Sequence, residues 1–305
     1  MTSQRRTCGT MIHHQILMET SLTYRQQRLS IEQYSRDYET DTARARADFP
    51  LITIPVVVHV VFNNSRENIT DEQITSQIRI LNEDYRKQNA DIILVPEPFI
   101  PFVADAKIEF KLAAQDPNGN STKGITRTFT QKTAFSFDDA VKFASTGGKD
   151  AWSADKYLNI WVCNLSGGIL GYAQFPGGDA DTDGVVISHQ YFGDVGTATP
   201  PFNKGRTTTH EVGHWLNLRH IWGDDMGACT GSDAVKDTPN QADSNFGRPT
   251  FPRITCGNAP NGDMYMNYMD YVDDAAMFMF SAGQVARMRA ALDGPRALIK
   301  SSDAL

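Results

Sequence analysis

The chain has 305 residues, 40% of them hydrophobic and 10% aromatic, enough for one large or two moderate domains with a sizeable core and too apolar for a disordered tail. Lys and Arg total 29 against 36 Asp and Glu, a formal net charge of −7, so no basic excess is available to grip phosphate backbones and nucleic acid is not an expected partner. The longest apolar run, 55–62, is interrupted by His59 and is far below the roughly 18 residues that span a bilayer, so no membrane helix is expected.

The opening residues Met1 to Arg6 carry charge without an apolar stretch behind them and do not read as a secretory leader. Residues 15–46 are rich in Gln, Arg, Glu, Tyr and Thr and lack glycine and proline, which predicts a polar helical segment running into the basic linker Arg44-Ala45-Arg46. At Phe49-Pro50 the pattern changes to a β-branched run through Phe62, a buried strand, and a domain boundary is placed near residue 48. Thr70-Asp71-Glu72-Gln73 reads as a capping box, and Ile74, Ile78, Leu81 and Tyr85 follow at helical spacing. Strands are expected over 107–113, 157–165 and 185–188. The Gly, Asn and Pro rich stretch 221–268 predicts an irregular segment, and a second capping box, Ser281 to Gln284, opens a last helix. The expected fold is mixed α and β: a sheet-containing N-terminal subdomain, then an irregular C-terminal one with a terminal helix.

The segment that carries chemistry is His210-Glu211-Val212-Gly213-His214-Trp215-Leu216-Asn217-Leu218-Arg219-His220. On a helix, i and i+4 share a face, so His210 and His214 can direct two imidazoles at one metal ion while Glu211 reaches a water beside it. His220 completes a three-ligand site only if the helix stops after His214, and Asn217 stands where a left-handed residue would end it. His13, His14, His59 and His189 lack such spacing and read as surface or hydrogen-bonded histidines. Four cysteines without a C-x-x-C pair allow one bridge and two free thiols.

This eleven-residue stretch resembles the extended zinc motif of the metzincins, and the variant running on to Ile221-Trp222 is similar to that of the pappalysin family. The resemblance covers most of the chain after residue 50. It implies a zincin fold with a twisted sheet, a catalytic domain 49–305 divided near residue 220, and an inhibitory pro-segment 1–48. It also implies a secreted zinc endopeptidase with peptide or protein substrates. Within Met266-Asn267-Tyr268-Met269-Asp270-Tyr271, Met269 would floor the metal and Tyr271 would supply a transition-state hydroxyl. Leu170-Gly171-Tyr172-Ala173 is similar to the family's edge strand, which pairs with extended substrate. The resemblance further implies a Cys229–Cys256 disulfide, and Arg6-Thr7-Cys8-Gly9-Thr10 resembles a cysteine switch in which the Cys8 thiolate takes the zinc position of water. Structural calcium is implied near Asp225, Asp233, the Lys236 carbonyl and Thr238. Asp274 is implied in the wall of the pocket for the residue after the scissile bond, where a paired contact would choose Arg first and Lys second. Self-cleavage is expected at Ala43-Arg44 or Ala45-Arg46. Two alternatives remain at this point: a metal-binding homologue acting as a non-catalytic module, and a narrow peptidase for one partner protein.

Overall fold

The structure is a computed structural model that describes residues 5–40 and 49–305. The proposed self-cleavage bonds lie outside the described residues. The N-terminal segment forms two helices, α1 (Thr10–Thr20) and α2 (Leu22–Thr40), where the sequence suggested one helical stretch; Ser21, in extended conformation, divides them.

Strand β1 (Ile52–Phe62) is buried along nearly its whole length, as a continuous β-branched run requires when both faces are covered. It is flanked by β2 (Ile108–Leu112) and β3 (Ile125–Phe129), which pair with successive halves of one edge, and by β4 (Leu158–Cys163) on the other. All three pairings are parallel. β6 (Val185–Ser188) continues in parallel beyond β4, and β5 (Gly171–Ala173) closes that side antiparallel to β6. Strand β3 was not anticipated because Ile-Thr-Arg-Thr-Phe is partly exposed and offers no apolar run.

Helix α3 (Asp71–Tyr85) packs its Ile74, Ile80, Leu81 and Tyr85 into the core. Its expected capping box is only half formed. Thr70 accepts from the Gln73 amide, but the Gln73 side chain donates to the carbonyls of His189 and Phe192 and so anchors a distant loop. The final helix, α5 (Ala282–Asp293), has the complete reciprocal box between Ser281 and Gln284. Between them lies α4 (Arg206–Trp215), with all ten residues buried. The 221–280 segment after it is mostly turns and is tied by a disulfide between Cys229 and Cys256, Cα atoms 5.4 Å apart. Among the described residues no helix is long and apolar enough to cross a membrane.

Candidate active site

Helix α4 ends in a Schellman turn. The Asn217 amide donates to the His214 carbonyl and the Leu218 amide to the Gly213 carbonyl, both at 2.9 Å, with Asn217 at φ 75° as the left-handed residue. That reversal brings His220 back to the helix face. It also sets the Leu218 carbonyl where the His214 Nδ1–H donates to it at 2.7 Å. The other two rings are held alike: His210 Nδ1–H donates to the Tyr268 carbonyl and His220 Nδ1–H to Asp224 Oδ1, each at 2.7 Å. Asp224 thus orients an imidazole, and its i+4 spacing from His220 was the available signal in the sequence.

With each Nδ1 proton fixed on an acceptor, the three Nε2 lone pairs face one another. His214 Nε2 stands 3.1 Å from both of the other Nε2 atoms. Burial, together with the neighbouring rings, holds His210 and His214 well below the ordinary imidazole pKa, so they do not relieve this crowding by protonation. Converging imidazoles with carbonyl and carboxylate partners behind them are a donor set that fits a zinc ion. The Cys8 thiol is the fourth member: its Sγ and the three histidine nitrogens all lie within 4.8 Å of one another.

Met269 is fully buried and packs against Gly213. A Cβ on Gly213 would stand 2.5 Å from Met269 Sδ, so the glycine in this motif is required for close approach rather than for backbone freedom. Gly171 plays the same part on the edge strand, where a Cβ would meet Val186 O at 2.9 Å and Glu211 Cγ at 3.0 Å. Glu211 lies between helix and strand, its carboxyl pushed up to about 7 by burial against the opposing hydrogen bonds of Thr10 and Cys8. Tyr271 stands over the cluster, its ring centroid 4.9 Å from that of His220 and 5.7 Å from that of His210.

The N-terminal segment runs through this cleft. Thr7 O accepts from Leu170 N, and Gly9 N donates to Gly171 O, both at 2.9 Å, forming a parallel bridge to the edge strand. Two further contacts were not foreseen. Thr10 Oγ1 donates to Glu211 Oε2 at 2.8 Å and accepts from the Ala173 amide at 2.8 Å. Arg6, itself buried, donates through Nη2 to Asp274 Oδ1 at 2.5 Å, through Nη1 to Thr207 Oγ1 at 3.1 Å and through Nε to the Val272 carbonyl at 3.2 Å. Arg6 meets Asp274 through a single contact rather than a paired one. Asp274 Oδ2 is taken by the backbone amides of Lys204 and Arg206, leaving one oxygen for the cation.

Cys163 is a buried free thiol at the end of β4. The four remaining histidines are hydrogen-bonded: His13 to Asp139, His14 to Tyr24, His59 to Thr126 and Asn159, and His189 to Thr197. Asp225, Asp233, Lys236 and Thr238 belong to the loop beyond His220 and not to the histidine cluster.

Comparison with known proteins agrees with this geometry. A family model described as "Pregnancy-associated plasma protein-A" matches residues 144–293. The extracellular metalloprotease of Pyricularia oryzae is 35% identical over 248 residues, covering 78% of this chain and 74% of its own. Tannerella forsythia mature mirolysin, solved in complex with a cleaved peptide, is 55% identical with a TM-score of 0.82, over 83% of this chain and 96% of that one. A Tannerella forsythia promirolysin mutant is 49% identical with a TM-score of 0.90, over 97% of both chains.

Proposed function

Since the chain belongs to the pappalysin family of zinc metalloendopeptidases, we propose that it is a secreted zymogen whose residues 1–48 block a catalytic domain 49–305 that cuts on the N-terminal side of Arg, with Lys second. The observation that carries this reading is the path of Arg6-Thr7-Cys8, with the Cys8 thiol amid three imidazoles and Arg6 buried on Asp274.

His210, His214 and His220 would hold zinc, with Cys8 as the fourth ligand of the latent form. Zinc bound there supplies Lewis-acid polarisation of the scissile carbonyl and lowers the pKa of water. Glu211 takes the proton of the attacking water and later delivers it to the leaving amine. The Tyr271 hydroxyl donates to the developing oxyanion. In the latent chain Thr10 already occupies Glu211, so base and metal cluster are both engaged.

Chain direction explains why the blocking segment is not itself cut. A substrate cleaved before Arg runs from the metal towards Asp274, placing Arg after the scissile carbonyl. The N-terminal segment has Arg6 before Cys8 and pairs in parallel with the edge strand, so it passes in the opposite sense and places Cys8, rather than a bond preceding an arginine, at the metal cluster. Removal by cleavage at Ala43-Arg44 or Ala45-Arg46 would free the cleft. The extracellular naming of relatives and the cleaved peptide of mirolysin support secretion and peptide substrates.

Calcium in the loop after His220 belongs to the same reading. The Asp233 carboxyl, accepting from Thr238 Oγ1, is pushed up to about 7 by burial, which a bound cation would reverse. Asp225 closes its own turn through Oδ2 while its buried Oδ1 has no hydrogen-bond partner.

The test is zinc content and peptidase activity of the full-length and processed protein, alongside Glu211→Ala. Zinc in all three, with hydrolysis in the processed wild type alone, is expected. Hydrolysis by Glu211→Ala would contradict the assignment of the base, and a zinc-loaded processed protein without peptidase activity would favour a binding module.

A further inference from the structure

Asp274 is fully buried, and its carboxylate lies at the start of α4, where Oδ2 accepts from the Lys204 amide at 2.7 Å and the Arg206 amide at 3.3 Å. Helix N-termini favour such an anion, so these contacts fix the carboxylate in place. They also leave only Oδ1 for a side chain entering the pocket, and Arg6 meets it with Nη2 alone. A single carboxylate oxygen accepts from an ammonium as readily as from one guanidinium nitrogen. Asp274 therefore supplies charge without choosing between Arg and Lys.

The choice must come from the acceptors of the other two nitrogens. Arg6 Nε reaches the Val272 carbonyl and Nη1 reaches Thr207 Oγ1, so all three guanidinium nitrogens have partners. The Phe202 ring lies 4.8 Å from the guanidinium carbon, a contact that attracts either cation. A lysine has one nitrogen at the end of its chain and cannot serve three separated acceptors. Thr207 is 1% exposed and lies one helical turn before His210, so the packing of α4 fixes where its hydroxyl points. With lysine bound, that hydroxyl would lose its charged partner inside a dry pocket.

We propose that Thr207 is a specificity-determining residue that makes this pocket prefer arginine over lysine, while Asp274 sets the preference for positive charge. The proposal rests on the reading of the Asp274 pocket as the one for the residue after the scissile bond.

The experiment compares kcat/KM of mature wild type, Thr207→Val and Thr207→Ser on paired peptides that differ only in Arg or Lys after the cleavage site. Val keeps the β-branched shape and removes the hydroxyl, whereas Ser keeps the hydroxyl. Thr207→Val should lower the Arg-to-Lys ratio about tenfold by slowing Arg peptides alone, and Thr207→Ser should keep the ratio near wild type. An unchanged ratio in Thr207→Val, in an enzyme whose wild type does prefer Arg, overturns the role of Thr207 and leaves the pocket reading standing. A wild type that does not cut before basic residues overturns both. A matching loss on Lys peptides also overturns the selector role, because it marks a general disturbance of α4.

Discussion

Glu32 fixes the second helix of the N-terminal segment to the catalytic domain, and Glu32→Gln should loosen that helix selectively. Both Glu32 oxygens accept from Arg287 Nη2 at 2.6 Å, Arg28 Nη2 donates at 2.7 Å, and Arg219 stands 3.3 Å away. Burial alone would raise this carboxyl, but the three guanidinium groups outweigh it and pull the pKa down to about 2. A carboxyl held that far below its ordinary range stabilises the docked state by about 3 kcal/mol while ionised. The sign follows from the depressed pKa. The contribution is complete above the ordinary carboxylate range, near pH 4.5, and fades as pH falls from there through about 2. In full-length Glu211→Ala protein, which should not process itself, Glu32→Gln should speed hydrogen exchange of α2 amides about a hundredfold at pH 7. The effect should persist at pH 5 and leave core strand β1 unchanged. Equal α2 exchange with and without the substitution would refute the reasoning, as would a uniform loss of protection across the protein.

At the metal cluster, His220→Ala should abolish zinc retention after dialysis, whereas Asp224→Ala should weaken it about tenfold to a hundredfold because only the ring's orienting partner is lost; equal retention in both would exclude these roles. Cys8→Ala should relieve latency of the uncut chain only in part, since Thr10 still donates to Glu211, and adding Thr10→Val should raise the pre-cleavage activity about tenfold further. Full activity with Cys8→Ala alone would remove Thr10 from the block. Calcium should raise the melting temperature progressively with its free concentration, by mass action on the folded state, and a flat titration would count against a site near Asp233.

The sequence was most legible where one short element holds the chemistry. His210, Glu211 and His214 share a helix face, and Asn217 signalled the turn that returns His220, so four positions within eight residues define most of the cluster. The strands β1, β4 and β6 were equally plain because they are buried along their length and rich in β-branched and large apolar residues. What escaped depends on contacts across long sequence separations. Arg6 meets Asp274 across 268 positions and Thr10 meets Glu211 across 201, and no local pattern announces either. Gln73 fitted a capping box yet found better partners in the loop of His189 and Phe192. At Asp274, the two amides at the head of α4 that occupy half of its carboxylate could not be read from composition.

The most direct measurement is N-terminal sequencing of self-processed protein together with a peptide panel that varies the residue after the cut, run on wild type and Asp274→Ala. A mature N-terminus at Arg44 or Arg46, with wild-type cleavage before Arg that Asp274→Ala loses, is the expected result. A mature N-terminus far from those arginines, or a preference for basic over neutral residues untouched in Asp274→Ala, would contradict it.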